Sequence, residues 1–218
     1  MTTRKHIDPN TLFFGNFVDA DLRLADLGEF VERIDKYLDK RSKTLAGKPK
    51  KGINLELDVE HELFVASFPS ILYVSVTIAT WVFMEQELKG YCQALQRAMD
   101  IDLAFSDLSG SVLERFKKFM GKVAKVELGV RKTLWEDMKA VSEIRNALVH
   151  ADGLVPNDKI VLIDSFCKRY KVAILNDGRI ELDSRAVTMI VVACRLFIEL
   201  VYGAALLKFP GEYGPKQK

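Results

Sequence analysis

Three residues in the segment EIRNALVHADG, positions 143 to 153, have the types and spacing for chemistry on a phosphate. Arg145 carries a guanidinium, Asn146 a side-chain amide, and His150 an imidazole, the side-chain type suited to proton transfer. A guanidinium holds a phosphate through paired, charge-assisted hydrogen bonds and stabilises the charge that builds on it. An imidazole takes a proton from one oxygen and returns it to another. One chemistry such a set permits is cleavage of a phosphodiester, with no metal required if its own 2′-hydroxyl is the nucleophile. Asn146 would position the phosphate or the histidine. One chain supplies one such histidine, so acid and base can come from two subunits.

The element carrying these residues reads as a helix from about 133 to 151. Met138, Val141, Ile144 and Leu148 recur at helical spacing and mark its core side. Arg145 falls inside that stripe, whereas Asn146 and His150, four apart, share a neighbouring face. A guanidinium among apolar side chains needs a companion, because desolvating an unpaired charge costs several kcal/mol. A long helix from about 70 to 99 offers one. There Val74, Ile78, Trp81, Leu88, Cys92 and Leu95 form a stripe, and Glu85 interrupts it. Glu85 and Arg145 are expected within salt-bridge or one-water distance, with Glu85 orienting the guanidinium toward an anionic ligand. The alternative is an ion pair that only sets helix register.

A basic stretch is a candidate for holding the rest of a nucleic acid. Between positions 111 and 133, Arg115, Lys117, Lys118, Lys122, Lys125, Arg131 and Lys132 stand against Glu114 and Glu127. Such a patch attracts a phosphate backbone and gives salt-dependent affinity. An ordinary solvated helix face has the same composition.

The remaining elements follow from periodicity. Residues 17 to 46 repeat Leu24, Leu27, Val31, Ile34 and Leu38 at helical spacing. Residues 47 to 52 read as a loop, residues 53 to 68 are ambiguous, and Pro69 punctuates them. FSDLSGS at 105 to 111 breaks the chain before a helix near 111 to 126. Asp152-Gly153 and Pro156 end the motif helix. Val172/Ile174 and Ile180/Leu182 alternate around Asn176-Asp177-Gly178, the pattern of a small β-hairpin. A last helix spans about 184 to 207 with Ser184 as its N-cap, and residues 208 to 218 form a tail.

Composition excludes several classes. Of 218 residues 49% are hydrophobic, enough for a packed core, and the net charge of +2 selects no partner. Cys92, Cys167 and Cys194 are widely spaced and odd in number, which argues against disulfides or a zinc site and fits a reducing cytoplasm. The first ten residues are polar and hold no apolar signal core. Residues 64 to 84 carry no charge, but Pro69 and five Ser/Thr hydroxyls interrupt them, and Arg195 and Glu199 interrupt residues 186 to 209. Buried bundle helices, not membrane spans, are expected. His61, among Asp58, Glu60 and Glu62, lacks the spacing of a metal site. Gly121-Lys122 lacks the rest of a phosphate-binding loop. No metal and no cofactor are expected, and His6 is assigned no role.

Arg145-Asn146 with four residues between Arg145 and His150 resembles the signature of the HEPN superfamily (higher eukaryotes and prokaryotes nucleotide-binding). The upstream FMEQELKGYC and the final apolar helix are similar to the surroundings of that signature. The resemblance covers residues 70 to 207 and leaves residues 1 to 69 as an N-terminal helical extension. It implies an all-α antiparallel bundle, here with the small hairpin before the last helix, which dimerises so that two Arg–Asn–His sets face one cleft. It also implies a metal-independent endoribonuclease of prokaryotic defence or toxin systems, with an antitoxin or other protein as a possible partner. Some members keep the fold without cleavage, which leaves open a non-catalytic dimer that binds RNA, a nucleotide or a protein. A subgroup carries a modified Tyr two residues after the His; Asp152 stands there in this chain and argues against that subgroup.

Overall fold

The computed structural model describes residues 9–47 and 55–208. The expected loop beyond Gly47, the C-terminal tail and His6 lie outside the described residues. The fold is all-α with one two-strand hairpin before the last helix. Its helices are α1 (Pro9–Ala46), α2 (Leu55–Glu62), α3 (Phe68–Ala98), α4 (Val112–Lys118), α5 (Lys132–His150), α6 (Asn157–Tyr170) and α7 (Ser184–Lys208), with strands β1 (Leu175–Asn176) and β2 (Arg179–Ile180).

Two helical runs pass through a π-helical turn, and one of them continues where the sequence suggested a break, at Pro69. Leu63–Ser67 joins α2 to α3, with the Phe68 N–H bonded to the Leu63 carbonyl. Pro69 therefore sits inside a helical run. The wider turn accommodates a residue that has no N–H to give and whose ring crowds the preceding turn. The boundary expected between residues 69 and 70 falls within this run. Phe119–Ala124 likewise extends α4, which begins with a reciprocal cap: Ser111 Oγ accepts from the Glu114 N–H, and Glu114 Oε2 accepts from the Ser111 N–H at 2.9 Å. Lys125, with φ 51, ends it.

Internal contacts divide the chain into two units, and α1, α3, α5 and α7 each contribute a stretch to both. Among the described residues the first unit draws on 9–24, 82–139 and 193–208. Its core is aromatic. Tyr91 meets Tyr202 edge-on at 5.2 Å, and Trp135 meets Phe197 edge-on at 5.0 Å. The Tyr91 hydroxyl donates to the Val201 carbonyl at 2.8 Å, and the Tyr202 hydroxyl donates to Glu87 Oε2 at 3.0 Å. Arg195, which interrupts apolar α7, pairs with Asp21 of α1, its Nη2 lying 2.8 Å from Oδ2. Cys92 and Cys194 are buried free thiols, and burial pushes both above the ordinary thiol range.

Among the described residues the second unit draws on 25–47, 55–81 and 140–192. Val31 of α1, Tyr73 and Val76 of α3, and Val187 of α7 form one core cluster, with Leu27, Leu72 and Leu182 packed on it. Helix α6 was not anticipated. It follows Pro156 directly and buries Ile163 and Phe166. The hairpin is shorter than expected. Leu175 pairs with Ile180 and Asn176 with Arg179, and Asp177 and Gly178 make the turn at φ 48 and 76. Positive φ at both turn residues matches the twist of a two-residue hairpin. Val172 belongs to the exit of α6, where its N–H bonds the Cys167 carbonyl. The N-cap of α7 is corrected as well. The Ala186 N–H bonds Asp183 Oδ1 at 2.6 Å, so Asp183 caps the helix and Ser184 is its first residue.

Residues Leu55–Ala98 and Ser184–Ala204 are each long and apolar enough to cross a membrane by length and composition, a test that core helices also pass.

Candidate functional site

Helix α5 positions the motif. Met138, Val141 and Ile144 are fully buried, Ala147 nearly so, and Leu148 is half-buried, as the periodicity requires. Arg145 and Asn146 are half-buried beside this stripe, and His150 is exposed on the last turn. Arg145 Nη1 donates to Asn146 Oδ1 at 3.0 Å. Arg145 Nε is buried without a hydrogen-bond partner among the described residues. A buried, unmet donor costs free energy, and Arg115 Nε, Thr77 Oγ1 and Thr80 Oγ1 are in the same state.

The helix ends in an arrangement the sequence conveyed only in part. Asp152 and Gly153 both take positive φ, at 48 and 80. The Gly153 N–H closes on the Ala147 carbonyl at 2.9 Å, satisfying a carbonyl of the last turn. The segment beyond then joins the hairpin. The Val155 N–H bonds the Gly178 carbonyl at 2.9 Å, and the Ile180 N–H bonds the Gly153 carbonyl at 2.8 Å. Arg179 Nη1 donates to Asp152 Oδ2 at 2.8 Å and to the Asp152 carbonyl. The hairpin thus clamps the chain immediately after His150. An Asn-Asp-Gly turn signals a hairpin, but nothing in its local pattern tells which distant segment it grips.

Glu85 is half-buried on α3 and belongs to the first unit, whereas Arg145 belongs to the second. The ion pair expected between them joins the two units and stays an expectation. The basic stretch is also in the first unit. Lys117, Lys118, Lys122, Lys125, Arg131 and Lys132 are exposed, and Arg115 is half-buried over the Phe105 ring at 5.0 Å. Several of these cations are already engaged. Lys118 Nζ donates to the Ser109 carbonyl at 2.8 Å, Lys117 lies over Trp135 at 5.6 Å, and Lys132 is 3.9 Å from Glu136. Asp137, a buried carboxylate on α5, was not singled out from the sequence, since it reads there as one more helix-surface charge. His61 is half-buried in the last turn of α2. Among the described residues no three His, Cys, Asp or Glu side chains gather as a metal site would need.

Compared with known protein families, curated proteins and solved structures, the chain matches none.

Proposed function

We propose that this protein is an endoribonuclease that works through Arg145, Asn146 and His150 in a homodimer, within prokaryotic defence or toxin biology. The observation that carries this reading is the state of Arg145. Its Nε is sealed from solvent without an acceptor, and its Nη1 is tied to Asn146. With Nε sealed and one Nη1 bond fixed, Nη2 and the remaining Nη1 N–H of this half-buried cation are the groups that would meet an oxyanion. The exposed His150 lies one turn beyond Asn146 on the same face. In the proposed reaction His150 removes the 2′-hydroxyl proton and O2′ attacks phosphorus. The P–O5′ bond breaks, and a second proton, from His150 of a second copy, goes to O5′. Arg145 holds the non-bridging oxygens as charge builds on them. The 2′,3′-cyclic phosphate that results is the diagnostic product. Cleavage of labelled RNA in EDTA, compared between the wild type and the His150→Ala and Arg145→Ala variants, tests this reading.

A second reading, a non-catalytic dimer that binds RNA, a nucleotide or a protein, is favoured by one feature. No described residue hydrogen-bonds the exposed His150 ring, whereas a general base is ordinarily oriented by a third group. Under that reading RNA is retained but not cut, and His150→Ala leaves retention unchanged.

A further inference from the structure

The second unit contains a cavity of about 580 Å³ that the proposed RNA chemistry does not use. Its size falls within the range of small-molecule sites. Phe64, Ile180 and Leu182 give it apolar walls, and Tyr73 stands in it, 8% exposed. Among the described residues its charged lining is of one sign, with carboxylates at Asp35, Asp39 and Glu181 and no lysine, arginine or histidine. Each carboxylate keeps capacity beyond the partner it has. Asp35 accepts from the Tyr73 hydroxyl, Asp39 pairs with Lys43 at 2.7 Å, and Glu181 accepts from Asn176 Nδ2 at 2.9 Å. A carboxylate accepts about four such bonds.

The ring of Phe64 supplies an independent indication of the ligand's charge. The Arg41 guanidinium already lies over it at 5.7 Å while pairing with Glu60 at 2.7 Å. A wall that takes one organic cation on its face, in a cavity whose described ionised lining groups are all acceptors, suits another. Phe64 comes from the π-helical turn Leu63–Ser67, which also contributes Val65 and Ala66 to the lining, and such turns recur at functional sites.

We infer that this cavity binds an organic monocation, a protonated amine carried on an apolar or aromatic body, with the ammonium on Asp35 and Glu181 and the body between Phe64, Ile180 and Leu182. The site is independent of Arg145 and His150. The probe is 2-phenylethylamine, titrated calorimetrically into the full chain beside 2-phenylethanol and phenylacetate, which keep the phenyl body and change the charge. The amine binds, and the alcohol and the acid bind at least about tenfold more weakly. Asp35→Asn and Glu181→Gln each weaken the amine by about tenfold, as loss of a charge-assisted hydrogen bond requires. Glu181 is exposed on the hairpin, so its variant keeps the test decisive if Asp35→Asn fails to fold. Equal binding of amine and alcohol, no heat from the amine, or indifference to Glu181→Gln overturns the inference.

Discussion

Arg145 Nη1 donates to the side-chain oxygen of its neighbour Asn146 at 3.0 Å, while the same guanidinium leaves Nε buried with no acceptor among the described residues. One edge of the cation is fixed and another is unmet. A side chain serving only the fold would ordinarily have its buried donors paired. Under the proposed function, what Arg145 does for stability separates from what it does for function.

That separation is measurable. Arg145→Met keeps the stem that packs beside Val141 and Leu148 and forfeits the bond to Asn146. Urea denaturation should show a loss of about 0.5–1.5 kcal/mol, the net worth of one hydrogen bond. RNA cleavage should fall by about 100-fold or more. A stability loss of about 4 kcal/mol, typical of breaking a buried charge network, would instead make Arg145 a structural residue.

The clamp after His150 depends on Gly153. Its φ of 80 is a conformation that L side chains rarely adopt, and a Cβ there would meet Arg179 Cγ at 3.3 Å and the Ile180 carbonyl oxygen at 3.5 Å. Gly153→Ala should cost about 1–2 kcal/mol in chemical denaturation, the penalty for a left-handed non-glycine residue. Gly178→Ala, with the same sign of φ but no atom within 4 Å, isolates the backbone part of that cost. If the two variants are equally stable, contact with the hairpin adds nothing to the exit of the motif helix.

Glu87 sets a pH dependence. Burial holds its carboxyl above the ordinary range, and the bond from the Tyr202 hydroxyl offsets part of that rise. Asp19 pushes the same way as burial and Arg23 the other way. A carboxyl whose pKa is raised on folding binds its proton more tightly in the native state. Its ionisation therefore lowers stability as pH rises from the unfolded pKa through the folded one. Glu87→Gln keeps an acceptor for Tyr202 and removes the ionisation. The variant should match the wild type in acid and become progressively more stable than it across the carboxylate range, in thermal melts at a series of pH values. A stability difference that does not change with pH would show that the carboxyl is not shifted by folding.

How far the sequence carried this account differs from element to element. The stripe of Met138, Val141 and Ile144 was legible because a helix buries residues at fixed spacing, although Ala147 rather than Leu148 completes it, and Asp177-Gly178 was legible because few dipeptides tolerate positive φ twice. Helix α6 was not, because Pro156 reads as the end of the preceding helix although it also stands at the start of the next. Asp183 took the capping role expected of Ser184, a one-residue choice that depends on where the backbone first turns helical. The pairs Tyr73–Asp35 and Tyr202–Glu87 bring together residues far apart in the chain, and no local period encodes them. At the candidate site, the presence of Arg145, Asn146 and His150 on one helix was legible. The hairpin's hold on Asp152 and the unmet Nε were not, since both depend on tertiary packing.

The most direct measurement is RNA cleavage in EDTA by the wild type, Arg145→Ala and His150→Ala, with the ends of the fragments identified. The account predicts fragments bearing 2′,3′-cyclic phosphate from the wild type and a rate lower by about 100-fold or more in each variant. Fragments formed at the same rate by both variants, or intact RNA in every lane with wild-type protein, would contradict it.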